Sequence, residues 1–186
     1  MRILAFSASL RHDSLNGRLI AIAARLAREA GAEVDLADFS ELVMPNYNFD
    51  VEQQGFPEAC VALGRRVESV DGLLISTPEY NHSFPGTLKN TIDWLSRLRP
   101  MPLRGRSVQI LSAAPSLVGG NRAAEALSTP LEVLGMHVMP DRFSLNTANE
   151  AFGADGELLD PQRLERLQGV VDYFLRVTQS LKLMDA

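Results

Sequence analysis

The chain has 186 residues, of which 46% are hydrophobic and 22% charged, with a formal net charge of −5 and a pI near 5.2. That length suits one domain, residues 1–186, with a core large enough to need no disulfide or metal staple. The acidic balance argues against a protein built to grip nucleic acid, which requires a basic stripe against the phosphates.

The first apolar run, Ile3-Leu4-Ala5-Phe6, predicts a strand at the N-terminus. A loop of small hydroxyl residues around one arginine follows, Ser7-Ala8-Ser9-Leu10-Arg11-His12-Asp13-Ser14-Leu15-Asn16-Gly17. Such a loop suits a phosphate monoester, because hydroxyls and the free amides of a helix start donate to phosphate oxygens while the helix dipole and a guanidinium offset the charge. Within residues 7–18, Arg11 and Arg18 against Asp13 leave a local charge of +1. The same residues also admit a plainer reading, in which Ser9 and Ser14 cap a helix and Arg11 is a solvated surface charge. No Lys-Ser or Lys-Thr pair follows the glycine, as a P-loop requires, and the G-x-G-x-x-G dinucleotide signature is absent.

Leu15, Leu19, Ile22, Ala23, Leu26 and Ala30 recur at helical spacing, and Gly31 sits where a C-terminal cap belongs. Further apolar runs at Val34 to Ala37, Gly72 to Ile75, Val108 to Leu111 and Met136 to Met139 bring the predicted strands to five. Helical stripes lie between them. Cys60, Leu63 and Val67 mark the second helix, Leu88, Ile92 and Leu95 the third, and Ala124, Leu127, Leu131 and Leu134 the fourth, which Pro130 should kink or split. The stretch from Met44 to Pro57 is the longest loop and is expected to reach outwards. Asp160-Pro161 then opens a last helix with Leu164, Leu167, Val171, Phe174, Leu175 and Leu181 on one face.

Strands alternating with helices mean a parallel sheet, and continuous apolar strands mean that both of its faces are covered. The expected architecture is an α/β three-layer, doubly wound sandwich. Ligands of such sheets lie beyond the carboxyl ends of the strands. Three loops leave those ends, Ser7 to Asn16, Thr77 to Gly86 and Ser112 to Gly120, and all three carry unusual residues, whereas the opposite connections are short and plain. In the second loop Pro78 stiffens the exit from the strand, the amides around Glu79, Tyr80 and Asn81 suit the polar edge of a ring system, and Tyr80 offers an aromatic wall.

Cys60 is the only cysteine, which excludes an internal disulfide and fits a buried structural thiol. His12, His82 and His137 are too scattered to hold zinc. Trp94 is expected to be a packing residue or an interface anchor, and Lys89 to pair with a carboxylate. With no secretory signal pattern and no apolar segment of membrane-spanning length, the expected address is the cytoplasm.

These residues resemble the flavodoxin-like NAD(P)H-dependent FMN reductases, the group that includes azobenzene, quinone and chromate reductases. Ser7-Ala8-Ser9-Leu10-Arg11 with Ser14 and Asn16 is similar to the family's G-S-L-R-x-x-S-x-N phosphate loop, with Ala8 in place of the glycine. Thr77-Pro78-Glu79-Tyr80-Asn81-His82-Ser83-Phe84-Pro85-Gly86, continuing through Leu88-Lys89-Asn90 to Asp93-Trp94, resembles its T-P-E-Y-N-x-S-x-P-G-x-L-K-N-x-I-D-W signature. Ser112-Ala113-Ala114-Pro115 to Gly119-Gly120 is similar to its flavin-edge loop, with Ser116-Leu117-Val118 where glycine is more usual.

The resemblance implies a five-stranded parallel sheet in the order 2-1-3-4-5, bound FMN, and NADPH or NADH as co-substrate. It assigns the FMN phosphate to Ser9, Arg11, Ser14 and Asn16. The ring falls to Pro78, Glu79, Tyr80, Asn81 and Ser83, and the ring's other edge to Ser112, Gly119 and Gly120. The chemistry would then run on the flavin and demand no protein nucleophile or metal. It also implies a small-molecule acceptor, such as a quinone, azo compound, free flavin or chromate, and a homodimer or homotetramer in which the Met44 to Phe49 segment covers the neighbouring site. A flavodoxin-type electron carrier without nicotinamide turnover is the alternative, and a nucleotide-sensing module is a third.

Overall fold

The computed structural model describes residues 1–184. Its elements run β1 (Arg2–Ser7), α1 (Leu15–Glu29), β2 (Glu33–Ala37), α2 (Phe49–Glu52), α3 (Glu58–Glu68), β3 (Gly72–Thr77), α4 (Gly86–Leu95), β4 (Ser107–Ala113), α5 (Asn121–Val133), β5 (His137–Val138), β6 (Phe143–Leu145) and α6 (Pro161–Met184), with short 3₁₀ turns at Phe39–Leu42 and Ala148–Glu150. The strands form one parallel sheet in the order β2-β1-β3-β4-β5, with β6 also paired to β4. The order 2-1-3-4-5 is therefore present, with one strand more than the sequence indicated.

That extra strand has a local cause. β5 pairs with Ser107 and Val108 of β4, and β6 with Leu111 to Ala113, so one edge position of the sheet is occupied by two pieces of chain. Pro140 falls between them and supplies no N–H to a ladder. Across the gap Gln109 reaches out, its Nε2 donating to the Asp141 carbonyl at 2.8 Å.

Side chains alternate across the sheet as the strand period dictates. Ile3 and Ala5 of β1 and Leu74 of β3 join α1 and α6 in one core layer, whereas Leu4, Phe6, Leu73 and Ile75 join α3, α4 and α5 in the other. β1, β3 and β4 are buried almost throughout, whereas the edge strands β2 and β5 are largely exposed or half-buried. Gly31, at φ +90°, ends α1, its amide donating to the Arg28 carbonyl. Asp160 opens α6 by accepting from the Gln162 amide at 2.9 Å.

α5 is not split at Pro130 but continues as one helix to Val133, because proline removes a single donor near the C-terminal end and the Leu134 amide still bonds the Pro130 carbonyl. The Met44 to Pro57 stretch does not swing free. Trp94, fully buried, donates from Nε1 to the Pro45 carbonyl at 2.8 Å, while Asn90 Nδ2 binds the carbonyls of Met44 and Pro45 and Asn90 Oδ1 accepts from the Tyr47 amide. Met44 is buried and Tyr47 half-buried against Trp94, which leaves Phe49 as the large exposed side chain of the Met44 to Phe49 segment. Trp94 is thus a packing residue. Lys89 pairs with Asp93 at 2.6 Å, and Cys60 is wholly buried, its thiol pushed up to about 11 by burial. Among the described residues no helix is long and apolar enough to cross a membrane.

Candidate functional site

Strand order reverses at β1, since β2 lies on one side of it and β3 on the other, and the connections that leave the carboxyl ends of β1 and β3 therefore diverge and open a crevice. A cleft of about 140 Å³ occupies this place, lined by Arg11, Ser14, Leu15, Asn16, Pro78, Glu79, Tyr80 and Ala113 to Pro115. All three predicted loops contribute to it.

The first loop is held by α1. Ser14 has an extended backbone and its Oγ accepts from the Gly17 amide at 3.2 Å, so the capping role is real. It does not compete with ligand binding, because a hydroxyl that accepts from the helix still has its own proton to donate. The amides of Leu15 and Asn16, at the first turn, have no intrahelical partner. Ser9 Oγ accepts from the Arg11 amide at 3.4 Å and lies outside the enclosed part of the cleft, whereas the exposed Arg11 side chain lines it.

The Asn16 side chain does something the sequence did not reveal. It is 2% exposed and bonds three protein groups: Nδ2 donates to the Ala113 carbonyl at 2.9 Å, and Oδ1 accepts from the Ala113 amide at 2.9 Å and from Ser76 Oγ at 2.8 Å. The start of α1 is thereby tied to the ends of β3 and β4, so the side chain is a brace between loops as well as a lining residue of the cleft. No spacing rule signals such a contact, since its partners lie 60 and 97 residues away.

The second loop turns tightly. Tyr80 and Ser83 form an antiparallel bridge, and Asn81 and His82 between them take φ of 51° and 64°. Two successive left-handed residues make a two-residue hairpin turn, a conformation asparagine tolerates better than most side chains. The turn aims Asn81 and His82 at solvent, while Tyr80, half exposed, remains on the cleft. Ser83 lines a separate apolar groove of about 610 Å³ with Phe84, Ala126, Pro130 and Val133.

In the third loop Gly120 has φ +85°, and a Cβ there would come 3.1 Å from Ser112 Cβ and 3.7 Å from Glu79 Cβ. The left-handed backbone and the close approach to Ser112 therefore favour glycine at this position. Ser112 is fully buried and donates to Ser144 Oγ, and Gly119 packs against the backbone of Ser144 to Asn146, away from the cleft. Glu79, its side chain 11% exposed, pairs with Arg122 of α5 at 3.3 Å. The pair was missed in the sequence because Arg122 sits 43 residues further on. A larger cavity of about 410 Å³ beyond Leu117 and Val118 holds Arg163 and Arg166, but both are engaged, Arg163 with the Asn146 carbonyl and side chain and Arg166 over the Phe143 ring.

The donor set of the cleft, a guanidinium, a capping hydroxyl and first-turn amides, matches a phosphate, and the proline and half-exposed tyrosine beside it match a planar ring. Known proteins agree. The NADPH-dependent FMN reductase family matches residues 1–150. The chain is 35% identical to the quinone reductase of Escherichia coli K12, covering 98% of each chain, and 37% identical to an NAD(P)H-dependent FMN reductase of Pseudomonas aeruginosa, covering 90% of each. Its structure superposes with a TM-score of 0.85 on the flavoenzyme NAD(P)H:(acceptor) oxidoreductase FerB from Paracoccus denitrificans, at 32% identity over 96% of this chain and 97% of that one. Flavodoxin 1 from Bacillus cereus, at 13% identity and a TM-score of 0.64, shares the fold. With the family match, these relatives and a phosphate-ready cleft at the sheet's switch point in accord, the chain belongs to the NADPH-dependent FMN reductase family.

Proposed function

We propose that this protein is an NAD(P)H-dependent, FMN-containing oxidoreductase that passes electrons from nicotinamide to a small acceptor, with quinones the foremost class. The observation that carries this reading is the meeting of Arg11, Ser14, Pro78, Glu79 and Tyr80 with Ala113 to Pro115 in one cleft. Bound FMN supplies hydride acceptance from the nicotinamide and electron delivery to the acceptor. The protein's own contribution is position and electrostatics.

In this reading the phosphate is held by the Arg11 guanidinium, the hydroxyls of Ser9 and Ser14 and the main-chain N–H of Asn16, with the α1 dipole behind them. Pro78 and Tyr80 flank the ring, and the stiffness of Pro78 keeps the wall in place. The amides of Glu79, Asn81 and Gly120 meet the ring's polar edges, that of Tyr80 being taken up by the Ser83 carbonyl. Ser112 and Gly119 act from behind, shaping the loop that carries Gly120, and Ser83 borders the neighbouring groove. The two core layers packed on a common sheet support a single domain.

We propose further that the working form is a homodimer or homotetramer. The groove beside the Tyr80 to Ser83 turn supports this, since it is apolar and wide open, and Val133 at its wall is 77% exposed. A neighbour seated there would reach the mouth of the cleft.

The direct test of function is anaerobic. Yellow purified protein mixed with NADPH or NADH loses its flavin colour within seconds to minutes and regains it on addition of a quinone; colour that persists under both donors identifies an electron carrier instead. Arg11→Ala weakens FMN binding by about one to two orders of magnitude, the equivalent of a lost charge-assisted bond of ~1.5 to 3 kcal/mol. Fluorescence titration reads this, and an unchanged affinity removes Arg11 from the phosphate site. Light scattering at micromolar concentration gives a dimer or tetramer mass, and a monomer refutes the assembly.

A further inference from the structure

The third loop lines two hollows. Ala113 to Pro115 face the flavin cleft, whereas Leu117 and Val118 border the cavity of about 410 Å³ that β6 and the start of α6 complete, a volume in the range of small-ligand sites. Leu117 is 86% exposed, the barest large hydrophobic side chain among the described residues, and it packs into neither core layer. A bare apolar side chain at the mouth of a polar cavity suits the face of a planar base.

The charges of this cavity are not equally free. Arg163 is taken up by the protein, its Nη atoms donating to the Asn146 carbonyl at 3.2 Å and to Asn146 Oδ1 at 3.1 Å, with its Nε 3.5 Å from Asp160 Oδ2. Asp160 is taken up as well, since its Oδ1 accepts from the Gln162 amide. Arg166 differs. The Phe143 ring covers the face of its guanidinium, 5.5 Å from the ring centre, and a face contact leaves the N–H edge free to donate. The carboxylate beside it, Asp141, stands 3.8 Å away with both side chains well exposed, too long for a hydrogen bond and screened by water. Two neutral donors share the cavity: the Gln162 side-chain amide, and Ser144 Oγ, which accepts from Ser112 and keeps its own proton.

A free guanidinium among neutral donors takes an anion, and its place beside the flavin cleft narrows which one. Sites for nicotinamide dinucleotides tell their two ligands apart by one choice: an acid accepts from the ribose 2′-hydroxyl of NADH, or an arginine meets the 2′-phosphate of NADPH. Here the acid, Asp160, is engaged and the arginine, Arg166, is not.

We infer that this cavity holds the 2′-phosphorylated adenosine end of NADPH, with Arg166 on the 2′-phosphate, Gln162 and Ser144 donating beside it, and Leu117 against the base. The inference rests on the oxidoreductase reading above and names the donor that the enzyme prefers. The third loop is the saddle across which the nicotinamide end reaches the flavin cleft.

The test uses the full chain loaded with FMN, so that the phosphate loop of α1 is already filled. Calorimetric titration compares adenosine 2′,5′-bisphosphate with adenosine 5′-phosphate, which differ by the 2′-phosphate alone, and steady-state kinetics compare kcat/KM for NADPH and NADH. The wild-type chain prefers the bisphosphate, and NADPH, by roughly 10- to 100-fold, the range of a charge-assisted hydrogen bond. In Arg166→Ala both preferences fall to about threefold or less. Arg166→Gln, which keeps the stem over Phe143 and loses the charge, does the same, whereas Arg166→Lys retains part of each preference. A wild-type preference within about threefold, or a preference that survives Arg166→Gln while turnover with both donors falls together, overturns the assignment of the cavity and leaves the flavin reading intact. Failure of the wild-type chain to take up FMN overturns the flavin reading, and this assignment with it.

Discussion

Asn16 holds the carboxyl edge of the sheet together through one buried side-chain amide. Both backbone groups of Ala113 and the hydroxyl of Ser76 are satisfied by it, and the Ser76 carbonyl in turn accepts from the Ala8 amide at 2.8 Å. Through these bonds the first turn of α1 and the ends of β1, β3 and β4 meet at one point. Each group left unpaired there would cost about 1–3 kcal/mol, because no water reaches them to substitute. The loops that carry Arg11, Tyr80 and Gly120 all leave from this knot, and a fixed origin is what lets three separate loops present a single surface.

On that fixed edge the charges are local. The chain as a whole carries −5, yet at physiological salt a charge acts over only about 8 Å, so the cleft answers to its own residues. Arg11 is its positive pole and Glu79 its negative one, with Arg122 behind Glu79. Such a dipolar cleft favours an amphoteric ligand over a simple anion. Tight backbone geometry supports the arrangement: the left-handed turn at Asn81 and His82 keeps Tyr80 at the rim, and Gly120 allows the third loop to close against Ser112.

The architecture was legible in the sequence because its signals are local and periodic. Ile3 to Phe6, Gly72 to Ile75 and Val108 to Leu111 were readable as buried parallel strands, and Ser14, Gly31 and Asp160 as helix caps. The edge of the sheet was harder. Phe143 to Leu145 is too short to show a pattern, and Pro140, which separates it from β5, marks an interruption only once the partner strand is known. Pro130 misled in the opposite direction, since its cost inside a helix depends on how close the end is. At the site, residue types and spacing were enough to single out Arg11, Ser14, Pro78 and Tyr80. They were not enough to separate the Asn16 side chain, which binds protein, from its amide, or Gly120, which faces Glu79, from Gly119, which faces β6. Those distinctions are set by partners far away in the chain, such as Ala113, Arg122 and Ser144.

Three loops rooted on one knot and holding one flavin respond to it together. Hydrogen exchange of the full chain with and without FMN reads this over residues 9–16, 77–83 and 112–120. Protection that rises together in all three segments at one FMN concentration is the predicted result; protection confined to one segment, or reached at separate concentrations, contradicts it.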